Sequence, residues 1–390
     1  MRKTINTILM LAVSVIGYGQ SFNDLMQSIE ERNPHLITLQ KWLNAEATKA
    51  KTGLYPDNPE VSYNHLWSSP DLPGHQKELE ITQSFKWPGY YTSKSAVQKL
   101  AYQQKQVLAE KDQRAILHTA RTTYFQLVWL HKQASLLKTR KEDAEQLVTI
   151  MEEGFKGGEI SKPAYDKARI YNIAVQTEWQ KTQSEIEVQK RYLRQLNGGH
   201  SFDALVFEYP LDWELPNLDA MLGNLSDSHP DLTMAQLGIR QSEKEVKHQR
   251  MNSLPTLAAG YKSETFLDQT LKGFHVGISI PLWQNTNTVK HAQLQTEWAT
   301  AQLEQQESEL EMRASNLYHQ ATALQNNYRQ MKAVMDDQQV SKSNLELLKA
   351  GQINFTEYLM EANLIWEIQS QFLQTEYSYF ELLSQLKGFE

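Results

Sequence analysis

The chain has 390 residues, a net charge of −7 and no cysteine. The mildly acidic balance excludes a broad nucleic-acid footprint. The absence of cysteine excludes disulfides, thiolate metal sites, cysteine nucleophiles and a lipid on an N-terminal cysteine. The length fits two or three ordinary domains or one very elongated one.

Arg2 and Lys3 form a positive n-region, Ile5 to Ile16 an apolar h-region, and Gly17-Tyr18-Gly19 a small-x-small cleavage site before Gln20. This is the pattern of a secretory signal peptide, and residues 1–19 are expected to be removed. The apolar run, 12 residues from Ile5 to Ile16, is too short to span a bilayer core of ~30 Å. No later stretch approaches ~18 uninterrupted apolar residues, so a mature chain in a membrane would cross it by β-strands.

Asn33-Pro34-His35-Leu36 opens the first helix-like stretch. Two alternating segments follow. Val61, Tyr63 and Trp67 oppose Ser62 and Asn64; Leu79, Ile81 and Phe85, with Trp87 at the end, oppose Glu78, Glu80, Thr82, Ser84 and Lys86. Ser68 to Gly74 is a turn-rich loop between them. In the second half Leu257 and Tyr261 oppose Thr256, Gly260 and Lys262, while Phe274, Val276, Ile278, Ile280 and Leu282 oppose His275, Gly277 and Ser279. The connection between these two is expected over Phe266 to Gly273. Each run is about 9–11 residues, the length a tilted strand needs to cross a bilayer. Trp67, Trp87, Tyr90, Tyr91 and Trp283 lie near strand ends, where amphipathic aromatics anchor at a membrane interface. A half-buried sheet of a soluble domain would alternate in the same way. In lipid, however, four strands cannot close a barrel and open edges are forbidden, so insertion would require several chains.

Residues 89–153 contain no proline and no glycine after Gly89, and residues 284–350 contain neither. Both runs favour helix, and ~65 residues make a rod of roughly 95 Å. Leu310, Ala314, Leu317, Ala321, Leu324, Tyr328, Met331 and Met335 step alternately by four and three. Ile116, Ala120, Thr123, Leu127, Leu130, Ala134 and Leu137 do the same. These are heptad seams, which wind helices into coiled-coil contact. Taken alone, they fit an ordinary coiled-coil dimer equally well. Gly154, Gly157 and Gly158 break the first rod and Gly351 the second. Return helices are expected from about 161 to 196 and from about 354 to 388, with Pro163 in a first turn that tolerates it.

Five landmarks recur in the same order about 195 residues apart, the spacing of an internal repeat. Asn33-Pro34 parallels His229-Pro230, and Pro56 parallels Pro255. Ile81 to Phe85 parallels Ile278 to Leu282, Tyr124 parallels Tyr318, and Gly158 with Tyr165 parallels Gly351 with Tyr358. A tandem duplication is expected, with repeats over 20–200 and 221–390 and a small connecting region over 201–220, where Pro210 and Pro216 interrupt helix.

The series resembles the TolC family of outer-membrane efflux proteins over essentially the whole mature chain. Asn33-Pro34-His35-Leu36 and His229-Pro230-Asp231-Leu232 resemble the family's helix openings. Thr82 to Gly89 and Gly277 to Trp283 resemble its second and fourth strands, and Gly158-x6-Tyr165 and Gly351-x6-Tyr358 its tip turns. The resemblance implies a mostly α fold with a transmembrane β part. It implies a homotrimer in which a 12-stranded β-barrel, four strands per chain, crosses the outer membrane of a Gram-negative bacterium, and a long α-helical coiled-coil barrel crosses the periplasm. It implies outer-membrane lipid around the barrel, a periplasmic adaptor (membrane fusion) protein and an inner-membrane RND-type pump as partners. The channel itself would be a passive duct, not an enzyme, with no cofactor. Similarity leans toward the CusC/CzcC-like metal-efflux branch, but heavy-metal cations and drugs both remain open as cargo. The turns Gly157, Gly158, Glu159, Ile160, Ser161 and Gly351, Gln352, Ile353, Asn354, Phe355 are implied adaptor contacts. Glu357 and Glu361 are implied acids of a pore constriction, where three copies around an axis would attract cations. Solvated glutamates on a helix surface are the plainer reading. A secreted coiled-coil adaptor or tether without a pore is the alternative function.

No GxGxxG, P-loop, HExxH or GxSxG occurs. Glu245-x-x-His248 is one Glu-x-x-His motif, whereas a helical di-iron site needs two with further glutamates. By parity His275 faces the polar side of its strand, while His65 shares the face of Val61 and Tyr63; an ordinary polar role outweighs metal contact for both.

Overall fold

The computed structural model describes residues 21–67, 74–202, 205–210, 212–336 and 345–389. The expected signal peptide and most of the loop after Trp67 lie outside the described residues.

Ser21 caps α1 (Phe22–Arg32) in a reciprocal capping box with Asp24. Asn33 ends this helix in extended geometry, as the residue before a proline prefers, and Pro34 starts α2 (Pro34–Lys49). Strands β1 (Glu60–Leu66) and β2 (Gln76–Phe85) follow, then α3 (Tyr90–Lys156) and α4 (Lys162–Leu196). The second half presents α5 (Leu218–Ser228), α6 (Pro230–Asn252), β3 (Thr256–Phe266), β4 (Gln269–Ser279), α7 (Thr288–Met335), α8 (Leu345–Lys349) and α9 (Phe355–Leu386). The His229-Pro230 step divides α5 from α6 as Asn33-Pro34 divides α1 from α2. The leading helices α1 and α5 are additions to the sequence expectation, which opened the first helix-like stretch of each repeat at Asn33-Pro34 and His229-Pro230. The second rod also differs. Asn287, at φ 65°, holds a turn that delays α7 to Thr288, and the stretch 337–344 lies outside the described residues.

The chain divides into two compact units, each drawing on both halves of the sequence. One comprises the chain through Asn33 with Ala120–Trp213 and Lys332–Tyr377. Its core holds the α3 seam, where Ala120, Thr123, Leu127, Leu130, Ala134 and Leu137 are all buried. On α4, Ala168, Val175, Thr182, Ile186 and Leu193 are buried at heptad-like spacing. Phe207 and Trp213 pack on aromatics of α3: Phe207 lies 5.6 Å from Tyr124, and Trp213 lies 5.4 Å from Phe125. The Tyr124 hydroxyl donates to the Glu208 carbonyl at 2.9 Å and accepts from the Glu208 amide at 3.1 Å.

The other unit comprises Pro34–Thr119, Glu214–Met331 and Ser378–Glu390. Its helical core gathers Met221, Leu225, Leu232, Leu310, Ala314, Ala321, Leu386 and Phe389. It also contains the whole sheet, which is antiparallel in the order β1-β2-β3-β4. The β2–β3 pairing joins hairpins from the two halves, with Ile81 opposite Tyr261.

Two strand expectations change. The second hairpin is tighter than a connection over Phe266 to Gly273: β4 already begins at Gln269. Leu267 and Asp268, at φ 46° and 62°, form the two-residue turn whose twist suits a hairpin. Strand β1 has 7 residues, shorter than the length expected.

Candidate functional site

The sheet is built inside out for a water-soluble protein. Cross-strand register places Val61, Ile81, Tyr261 and Phe274 in one row and Tyr63 beside Leu79 in the next. This face is exposed: Phe274 is 89% accessible, Val276 83% and Val61 64%. Trp67, Trp87 and Trp283, near the strand ends, are exposed too. No helix among the described residues is long and apolar enough to cross a membrane.

The opposite face is polar and internally bonded. Lys262 Nζ lies 2.7 Å from Glu78 Oε1. His275 Nε2 lies 3.3 Å from Glu80 Oε1 and 3.2 Å from Thr82 Oγ1. The imidazole reaches across β3 to β2 because Gly260 stands between: a Cβ there would collide with the ring and lie 2.5 Å from the Ile81 carbonyl oxygen. Sequence parity puts these residues on one side, but it did not pair Glu78 with Lys262, because they lie far apart in the chain. His65 is on the apolar face, its ring stacked 5.0 Å from Trp67. The two singled-out histidines therefore do not meet. Among the described residues no group of three or more His, Asp or Glu is placed to hold a metal. Glu245 accepts from Gln249, and His248 is within 3.1 Å of the Ser93 hydroxyl.

The two helical turns form a second place of interest, within the other unit. At the first, the amides of Glu159 and Ile160 both donate to the Gly154 carbonyl, and Gly158 turns the chain at φ 80°. The Ile160 side chain lies where a Cβ on Gly154 would come within 2.6 Å of it. At the second, Gly351 turns at φ 68°, and the Gln352 amide donates to the Leu347 carbonyl. One apolar cluster brings the turns together: Leu147, Met151, Ala168, Leu345 and Tyr358 form it, with Ile160, Ile353 and Phe355 packed against it. Gly157, Gly158, Glu159, Ser161, Gly351, Gln352 and Asn354 remain exposed around this cluster.

Glu357 and Glu361 are both exposed on the first turns of α9. Glu357 has a local task. Asn354 Oδ1 accepts from the amides of Thr356 and Glu357, and Glu357 Oε2 accepts from the Asn354 amide at 2.9 Å. This is a reciprocal capping box with asparagine as the cap. The signal was present as Asn-x-x-Glu before an apolar run.

Burial holds three histidines below the ordinary imidazole value: His131, His229 and His248. Lys190 near His131 acts in the same direction. The Phe207 ring stacks on His131 at 4.8 Å.

No family model and no curated protein matches the chain. Solved structures do match it along almost its whole length. The outer membrane protein VceC from Vibrio cholerae is 15% identical at a TM-score of 0.74, over 94% of this chain and 95% of that one. A membrane protein from Pseudomonas aeruginosa is 12% identical at a TM-score of 0.78, over 94% and 93%. CusC, whose structures concern folding and transmembrane channel formation, is 13% identical at a TM-score of 0.74, over 94% and 91%. At such identities the shared property is the fold: long helical hairpins joined to a four-stranded antiparallel sheet.

Proposed function

We propose that the chain is one subunit of an outer-membrane efflux channel of the TolC family, and that it is a passive duct and not an enzyme. One observation carries the reading: a sheet that turns its apolar side outward and ends in two open edges. Val276 and Phe274 are among its most exposed residues, which is costly in water and favourable against lipid. Edge strands β1 and β4 have unpaired backbone groups, which lipid does not tolerate. With four alternating strands, β4 of one copy is antiparallel to β1 of the next, so a ring of copies closes with one pairing type throughout. Three copies give 12 strands, an even number like that of bacterial barrels. The structural likeness to VceC and CusC supports the same reading.

The rest follows from this proposal. Residues 1–19 direct export. The two halves arose by tandem duplication, each giving two helices, two strands and a helical hairpin, with 201–220 between them. The barrel sits in the outer membrane and the helices extend into the periplasm. The turns Gly157–Ser161 and Gly351–Phe355 meet a periplasmic adaptor fed by an inner-membrane RND-type pump. Glu357 and Glu361 line the constriction, Glu357 while also capping α9. The cargo is a heavy-metal cation or a drug, selected by the pump. A tether without a pore has no use for the exposed apolar rows.

Fractionation and imaging test the proposal together. The protein should sediment with outer membranes, resist extraction by salt, and give threefold particles in detergent. A salt-extractable or lone monomeric protein would overturn it.

A further inference from the structure

The two faces of the sheet carry opposite charge. The polar face holds Glu60, Glu78, Glu80 and Glu264 against Lys262 and His275, and Lys262 is paired with Glu78. The apolar face carries no aspartate or glutamate among the described strand residues. Apart from the tyrosines Tyr63 and Tyr261, its ionisable groups are His65 on β1, His75 just before β2, Lys77 on β2 and Lys272 on β4. All lie toward the hairpin turns. His65 is directly opposite Lys77, Lys77 is opposite Thr265, and Lys272 is opposite Ser263. Below this row, toward the helices, the same face carries Val61, Ile81, Phe85, Phe274, Val276 and Ile278, with Gln83 as a polar exception.

Lys77 and Lys272 are both exposed and have no carboxylate partner among the described residues. His65 Nε2 is buried without a hydrogen-bond partner beside the same row. Two strands and two residues separate the lysines, which puts their Cα atoms about 12 Å apart. A lone lysine on a lipid-facing strand costs most at mid-bilayer and little at the interface. The row therefore marks an interface. Because α2 enters β1, and β2 leads into α3, from the opposite end, it marks the leaflet remote from the helices. Cations at that level, with no acid on the same face among the described strand residues, attract anionic headgroups.

We propose that Lys77 and Lys272, flanked by His65 and His75, form a strip that binds the phosphates of the phosphorylated glycolipid in the outer leaflet. The inference rests on the channel reading above. It goes beyond that reading by naming a lipid partner and the residues that hold it.

The test uses the assembled full-length protein in nanodiscs of phosphatidylethanolamine. These are doped either with lipopolysaccharide, with the same lipopolysaccharide after phosphatase treatment, or with phosphatidylglycerol. Lipid retained on the protein is then measured by mass spectrometry. The expected result is enrichment of the phosphorylated form over the dephosphorylated form, falling about fivefold for each lysine removed. The Lys77→Gln/Lys272→Gln pair should abolish it, and Lys262→Gln, on the other face, should leave it intact. No enrichment, equal enrichment of phosphatidylglycerol, persistence in the double variant, or equal loss in Lys262→Gln would each overturn the strip. Insertion is scored separately by flotation of the same nanodiscs. A protein that inserts without enriching the glycolipid overturns the strip alone, while one that never inserts overturns the channel reading and the strip with it.

Discussion

The α3 seam and the four-stranded sheet apply the same amphipathic grammar with opposite outcomes, one apolar face buried and the other exposed. On α3, Leu127 and Leu130 are fully buried, while Lys138 and Glu142 are exposed. On the sheet, Phe274 and Val276 are outside and Glu78, Glu80 and His275 form the sheltered network. The difference teaches that periodicity reports the element, while the partner of the apolar face must be read from elsewhere. Here the open edges and the exposed tryptophans supply that reading.

The largest effect should come from the seam. Leu130→Ala leaves a cavity in a packed core and should cost about 2–5 kcal/mol, read as a lowered melting temperature in detergent. Phe274→Ala should leave that temperature nearly unchanged. Equal losses at the two positions would break the contrast.

The next effect tests the solvent directly. Val276→Arg puts a charge on the apolar face and should cost about 2–4 kcal/mol of insertion, seen as loss from the outer-membrane fraction. Ser84→Arg, on the polar face, should insert much as the parent does. If both variants behave alike, the two faces are not in different media.

Within the sheet, two glycines sharpen the comparison. Gly260→Ala forces the His275 ring and the β2 backbone to shift and should cost about 1–3 kcal/mol. Gly277→Ala makes only an ordinary contact at 3.7 Å and should be tolerated. Refolding yield into lipid, measured for both, checks the pair.

The two helical turns differ more gently. Asn354→Ala removes a cap bonded to two amides and should cost about 1 kcal/mol. Ser161 starts α4 with no side-chain cap bond, so Ser161→Ala should change almost nothing. Amide exchange in the first turns of α9 and α4 would show the asymmetry.

The smallest effect is on pH. His131, His229 and His248 have folded values below their unfolded one, so the unfolded chain binds protons first as acid is added. Their contribution is complete above the ordinary imidazole range of about 6.5 and is lost as pH falls through the depressed folded values. Melting between neutral and mildly acidic pH should show a modest decline, reduced in His131→Asn.

Much of this architecture was readable because periods of two and of three and a half cannot be confused over such lengths. The strand faces and both helical seams follow from side-chain spacing alone. The second hairpin was misread for a physical reason: Leu267 and Asp268 adopt left-handed geometry without glycine, and Gln269 to Gly273 lack an apolar alternation. The polar network was out of reach, since the Lys262–Glu78 pair depends on the β2–β3 register between distant segments. Glu357 was legible as a capping residue, yet the resemblance directed attention to a pore instead. The local bond and the proposed constriction are compatible, because an N-terminal cap leaves the carboxylate exposed.

The order β1-β2-β3-β4 leaves two different margins, and in the proposed ring β4 of each copy joins β1 of the next, head to tail. A head-to-tail join leaves one free margin at each end until the ring closes, whereas a two-fold contact uses the same margin of both copies. Completion is all or nothing, and a chain blocked at β4 by a proline would still be recruited through β1. Such a chain would poison its neighbours stoichiometrically, with the intact fraction falling as a power of the copy number. Co-expression with a blocked chain would therefore count the subunits.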